Sequence, residues 1–156
     1  MIELLLDRAA ALVLGLETAD RLPEFAGEAL EQGADSPSLR MLAAMDAPCL
    51  EDALPLLEGA LREAGATLPT PRAAALRLAR KTAERMVNGE VPAYEGSRQI
   101  WALARRVMDE DLDDLDPFIY AASEWEDRPT DRPFFEDAML RAARVLTRTE
   151  TNSAAR

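Results

Sequence analysis

The chain has 156 residues, with 18 Lys and Arg against 29 Asp and Glu for a net charge of −11 at neutral pH, no histidine and a single cysteine. That length suits one compact domain, and 48% hydrophobic with 30% charged residues describes a soluble globular protein, not a disordered acidic tail. Without imidazole there is no Ser-His-Asp or Cys-His nucleophile, no histidine proton shuttle and no His-ligated metal, and Cys49 alone closes no intrachain disulfide and builds no thiolate cluster.

Ala (29) and Leu (23) make up a third of the chain, while Val and Ile together number eight. Ala and Leu enter helices at little cost and the β-branched residues that favour strands are scarce, so an all-α fold is predicted. A first helix is expected over about residues 2–16, apolar almost all round and therefore placed at the centre of the core. A second covers about 23–32 and stops at Gly33. Ser36-Pro37 opens a third, through Met45, with Ser as the cap and Pro at the first helical position. A fourth spans about 51–64 and ends at Gly65, with Pro55 limiting where its regular hydrogen bonding begins.

Thr70-Pro71 repeats the cap-plus-Pro start of a fifth helix, about 72–87, which stops at Asn88-Gly89 and presents Leu76, Ala79, Ala83 and Met86 on one face. A sixth runs from about residue 94 or 96 to 108 with Ile100, Leu103, Ala104 and Val107 inward. Asp116-Pro117 opens a seventh, in which Phe118, Ala122 and Trp125 recur at helical spacing. The last starts near Asp131-Arg132-Pro133, carries Phe135, Met139, Ala142 and Leu146, and gives way to a polar tail. The expectation is a single all-α domain over 1–147, an irregular antiparallel helical bundle or short helical-hairpin stack of seven or eight helices, followed by a flexible tail over 148–156. Leu22-Pro23, Gly27 and Gly33-Ala34 echo Leu54-Pro55, Gly59 and Gly65-Ala66 at an offset of 32, a period typical of helical hairpins, though two copies fall short of a solenoid.

Charge is distributed unevenly. The run DEDLDDLD, Asp109 to Asp116, holds six carboxylates in eight residues. It fails as a calcium loop, because position 6 is Asp114 instead of Gly and position 12 is Tyr120 instead of Glu. It reads as a solvated loop feeding a helix N-terminus, or as an acidic patch for a basic partner. The fifth helix, with Arg72, Arg77, Arg80, Lys81 and Arg85 against Glu84, carries +4, so the remainder of the chain carries −15. Its basic stripe is expected to lie beside acidic neighbours.

Two segments are idiosyncratic: YEGSRQIW (94–101) and SEWEDRP (123–129) hold both Trp, one Tyr and four carboxylates. Trp125 is expected to anchor the core and Arg128 to fork onto a nearby carboxylate. Tyr94, Glu95, Trp101, Glu124, Trp125, Asp127 and Arg128 are the candidate binding residues. Glu95, Glu124 and Asp127 would form a carboxylate site for a metal or small ligand if they converge, although the Glu-x-x-His pairs of di-iron bundles are absent. Cys49 has no histidine to act as its base and reads as buried and inert. No phosphate-binding Gly-rich loop or nucleophile elbow occurs.

The segments DSPSLRMLA (35–43), PAYEGSRQIW (92–101) and LDPFIYAASEWEDRP (115–129), with the Arg-rich closing helix, resemble a family of small all-helical bacterial proteins known as uncharacterised hypothetical proteins. The resemblance covers about residues 20–147. It implies that these segments share one domain and brings with it no activity, ligand or catalytic residue.

Asp7-Arg8 splits two short apolar runs near the N-terminus and no basic region precedes them, so neither a signal peptide nor a membrane span is expected, and the cytoplasm is the default location. The acidity disfavours nucleic acid. The favoured reading is a non-enzymatic, cofactor-free interaction domain, of immunity or regulatory type, that docks a protein partner, a basic one being its electrostatic complement. The alternatives are the carboxylate site and homo-oligomerisation through apolar surface left on the first or last helix.

Overall fold

The computed structural model describes residues 2–108 and 111–153, the last five by backbone alone, and places eight α-helices and no strand among them. The all-α expectation holds. Helix contacts cluster into two compact units, Met1–Ala74 and Ala75–Arg156. The division falls inside a helix, so no Gly- or Pro-rich linker marks it in the sequence.

The first unit contains α1 (Ile2–Val13), α2 (Leu22–Glu31), α3 (Pro37–Ala43) and α4 (Leu50–Glu63). Leu5, Ala9, Leu22, Phe25, Ala29, Leu39, Leu42, Leu57 and Leu61 form its core. α1 is not central, as its composition suggested. Only Leu5, Ala9 and Ala10 are buried along it, because Asp7 and Arg8 interrupt the apolar surface and the Arg8 guanidinium reaches Glu17 at 2.8 Å over the Phe25 ring. α3 is held at its start by a hydroxyl and a carboxylate. Ser36 Oγ accepts from Leu39 N–H at 3.2 Å, and Glu63, at the end of α4, accepts from Ser38 N–H (3.2 Å) and Ser38 Oγ–H (2.7 Å). Hydrogen bonding of its carboxylate to the Ser36 hydroxyl and then to the Ser38 hydroxyl holds Glu63 below its ordinary value.

The 32-residue echo is local. At Gly33 (φ 89°) and Gly65 (φ 80°) the glycine N–H bonds three residues back and the next Ala N–H five residues back, at 2.9 and 2.8 Å, giving the same Schellman ending. Ser36 and Thr70 then cap the following helices identically, each at 3.2 Å. The earlier halves differ. Pro23 sits in the first turn of α2, where its missing N–H costs nothing, whereas Pro55 lies inside α4. A Cβ on Gly27 would meet open space, while one on Gly59 would lie 2.4 Å from Ser38 Oγ. The echo is shared helix-end chemistry joining helices built differently.

α5 (Pro71–Val87) contains the division between the units. In the second unit, α6 (Ala93–Ala104), α7 (Asp116–Asp127) and α8 (Arg132–Ser153) pack pairwise on one another around Ile100, Leu103, Phe118, Ala122, Phe135, Met139, Ala143 and Leu146. α6 ends earlier than its periodicity suggested, tightening into a 3₁₀ turn over Arg105–Val107. On α8 the inward small residue is Ala143 instead of Ala142. The helical backbone of α8 also continues to Ser153, since no Gly or Pro follows Leu146 to stop it; residues 154–156 of the expected tail lie outside the described residues.

Candidate functional site

The idiosyncratic segments meet in the second unit. Asp116-Pro117 starts α7, which ends at Asp127 with Arg128 as its C-cap; a 3₁₀ turn over Pro129–Asp131 then sends the chain back into α8. That reversal lays Arg132 against the residue it has just left. The Arg132 guanidinium carbon is 3.8 Å from the centre of the Trp125 ring, and Arg132 Nε–H donates to the Trp125 carbonyl at 3.3 Å. Tyr94 of α6 stacks on Trp125 with centroids 3.9 Å apart and planes 16° from parallel. Two groups that close to one ring cannot share a face, so Trp125 is sandwiched between Tyr94 and Arg132. The arrangement combines aromatic stacking with a cation–π contact, and Trp125 Nε1–H is anchored to Glu136 Oε1 at 3.0 Å.

The Tyr94 hydroxyl donates to Glu126 Oε1 at 2.5 Å, and Arg98 Nη1 donates to the same oxygen at 2.7 Å. The Tyr94 bond, with that of Arg98, holds the Glu126 carboxyl below its ordinary value. The same Tyr94–Glu126 bond raises the Tyr94 hydroxyl above its own.

Of the candidate residues, Tyr94 and Trp125 are brought together. Trp101 lies one turn along α6 beneath the Arg98 guanidinium, 5.7 Å from its ring centre. Glu124 pairs with Arg128 Nε at 3.0 Å along α7 as a single contact, in place of the expected fork. Trp125 is half-buried at the surface of the core, not within it. Glu95 and Asp127 are exposed, and no group of three His, Cys, Asp or Glu that could hold a metal ion forms among the described residues. Glu95, Glu124 and Asp127 are therefore not gathered into a carboxylate cluster: Glu124 is turned along its own helix to Arg128. Cys49 is exposed instead of buried. As the extended N-cap of α4 it stands just outside the helix, and its Sγ–H donates to Asp52 at 3.1 Å.

Sequence reasoning passed over Arg98, Arg132 and Glu136. Nothing in residue spacing announces a contact made by a chain reversal at Pro129.

A second feature lies between the start of α7 and α8. Asp114, Pro117, Ala138, Arg141, Ala142, Val145 and Leu146 line a groove of about 260 Å³. Its signal was in the sequence: Ala138, Ala142 and Val145 form an apolar stripe at i, i+4, i+7, beside the core stripe of α8. Val145 is 66% exposed, and Arg141 is occupied by Asp137. Of the acidic run, Asp109 and Glu110 lie outside the described residues. The rest is pinned by buried Leu112 and Leu115, and Asp111 accepts from Asp113 N–H at 3.3 Å. Asp111, through its hydrogen bond and its charge, with burial and the charges of Asp116 and Asp114 adding to it, holds the Asp113 carboxyl above its ordinary value. Of these crowded carboxylates, Asp114 lines the groove. No helix among the described residues is long and apolar enough to cross a membrane.

Compared with known proteins, the chain matches no family model, no curated protein and no solved structure.

Proposed function

We propose that this chain is a protein-interaction domain whose α7–α8 groove receives a basic, amphipathic helical segment of a partner. One observation carries the reading: an apolar floor of Pro117, Ala138, Ala142, Val145 and Leu146 is bordered at Asp114 by the acidic run. An apolar stripe left uncovered beside a complete core marks a contact surface, and helix-in-groove recognition uses anchors at i, i+3/i+4 and i+7. Asp111, Asp113, Asp114 and Asp116 would meet Lys or Arg on the partner's flank and set its orientation.

A synthetic Leu/Lys amphipathic helix tests this by fluorescence anisotropy against the native chain and Val145→Glu. Docking into the groove requires the substitution to weaken binding by about tenfold or more, the effect of losing on the order of 1.4 kcal/mol of contact. Attraction by net charge alone makes the same substitution bind the cationic peptide more tightly. Tighter or unchanged binding by Val145→Glu therefore rejects the groove.

A further inference from the structure

Arg98 and Arg105 stand seven residues apart, two turns along one face of α6 and its C-cap, with Trp101 and Ala102 between them. The four side chains line a recess of about 90 Å³, far more than the roughly 10–15 Å³ that one water needs. Arg98 spends Nη1 on Glu126 and lies over the Trp101 ring, which leaves its remaining N–H groups for another acceptor. Arg105 is exposed and makes no ion pair among the described residues. Cations are favoured at a helix C-terminus, and that accounts for Arg105. It does not account for Arg98 two turns earlier, which lies over the Trp101 ring and lines the same recess as Arg105.

We propose that this recess binds a phosphate group, with Arg98 and Arg105 as its two clamps and the Trp101 ring as its wall. Phosphate is preferred over carboxylate by geometry. One guanidinium fork saturates both oxygens of a carboxylate, whereas a tetrahedral phosphate presents divergent oxygens to two guanidiniums arriving from different directions. After Glu126 is counted, the pair retains one positive charge locally. The chain's overall −11 opposes an anion only within about 8 Å at physiological ionic strength, so capture is a short-range event. The phosphate is either inorganic or carried on a nucleotide, whose base the exposed part of Trp101 would stack.

Isothermal titration of the full chain at constant ionic strength in chloride, first with inorganic phosphate and then with adenosine monophosphate, tests the site. Saturable one-to-one binding of either probe is expected, weakened about tenfold or more in Arg105→Gln, because a charge-assisted hydrogen bond is lost, and partly restored in Arg105→Lys. The Arg105 side chain makes no ion pair among the described residues, so circular dichroism of both variants should superimpose on that of the native chain. If adenosine monophosphate binds more tightly and Trp101→Leu erases only that advantage, the phosphate arrives on a nucleotide; equal affinities assign it to phosphate itself. Absence of saturable binding by both probes, or binding that Arg105→Gln leaves unchanged, overturns the proposal.

Discussion

Gly96 and Gly27 both sit inside helices, yet alanine at the two positions should move stability in opposite directions. A Cβ on Gly96 would stand 2.3 Å from Met86 Cγ and 2.5 Å from its Sδ, and Met86 is itself buried. The first of those atoms is in the middle of the side chain, so Met86 must be displaced bodily from its packed position. The helix-propensity gain of about 1 kcal/mol is outweighed by overpacking, and Gly96→Ala is expected to lower stability by roughly 1–2 kcal/mol net. Around Gly27 there is nothing within 4 Å, so Gly27→Ala keeps the propensity gain and should raise stability by roughly 0.5–1 kcal/mol. Urea midpoints of the two variants decide the matter. Gly96→Ala as stable as the native chain would mean that α6 is not held against Met86. Neither role was legible beforehand, because a glycine at a close approach and a glycine at an open helix face look alike in a sequence; only the neighbour distinguishes them.

Between elements, α6 and α7 are joined by Tyr94, Arg98 and Glu126, and the joint should depend on pH from both sides. Glu126 is held below its ordinary value, so its contribution is complete above the unfolded carboxyl value, about 4.3, and is lost as pH falls through the lower folded value. Tyr94 is held above its ordinary value, so its contribution is complete below about 10 and is lost as pH rises through the higher folded value. The clamp therefore operates between those limits. In a Tyr120→Phe background Tyr94 is the only tyrosine, and its ultraviolet titration should run above pH 10; with Glu126→Gln added, the midpoint should move down. A midpoint unmoved by that second substitution would detach Tyr94 from Glu126. The helix boundaries here were largely legible because Ser, Thr, Pro and Gly act on their own backbone within three or four residues, as at Ser36, Thr70, Gly33 and Gly65. The Tyr94–Trp125–Arg132 stack was legible only in part. Its aromatic members stood out by rarity, but Arg132 joins through the turn at Pro129, and the direction of a chain reversal is set by packing rather than by local propensity. Glu124 likewise resembled a ligand by type and spacing until its carboxylate turned along α7 to Arg128.

Across the whole molecule, the charge does not reside where the densest acidic run suggests. Residues 1–74 hold 5 basic and 13 acidic side chains, a net −8, while residues 75–156 hold 13 basic and 16 acidic, a net −3. The run at 109–116 is a local excess in a half of the chain otherwise close to balance, and the first half carries most of the repulsion. Folding concentrates that repulsion, and net charge far from zero opposes the compact state. Of the ion pairs that oppose it, Arg21 with Glu24 and Arg40 with Asp35 are exposed and add little, and Arg8 with Glu17 is partly buried but offsets a single pair of charges. Raising ionic strength from about 0.01 M to about 0.15 M shortens the screening length from roughly 30 Å to roughly 8 Å, which weakens distant repulsion more than contact pairs. The thermal midpoint should therefore rise with salt, by roughly 2–4 °C for each 1 kcal/mol relieved. A falling midpoint in the calorimeter would show that ion pairing outweighs repulsion. Docking of a basic segment at the groove should respond with the opposite sign, because salt screens the attraction to Asp111, Asp113, Asp114 and Asp116. The same salt series thus separates the two roles of the acid: if peptide affinity and thermal stability rise together, the carboxylates bordering the groove take no part in recognition.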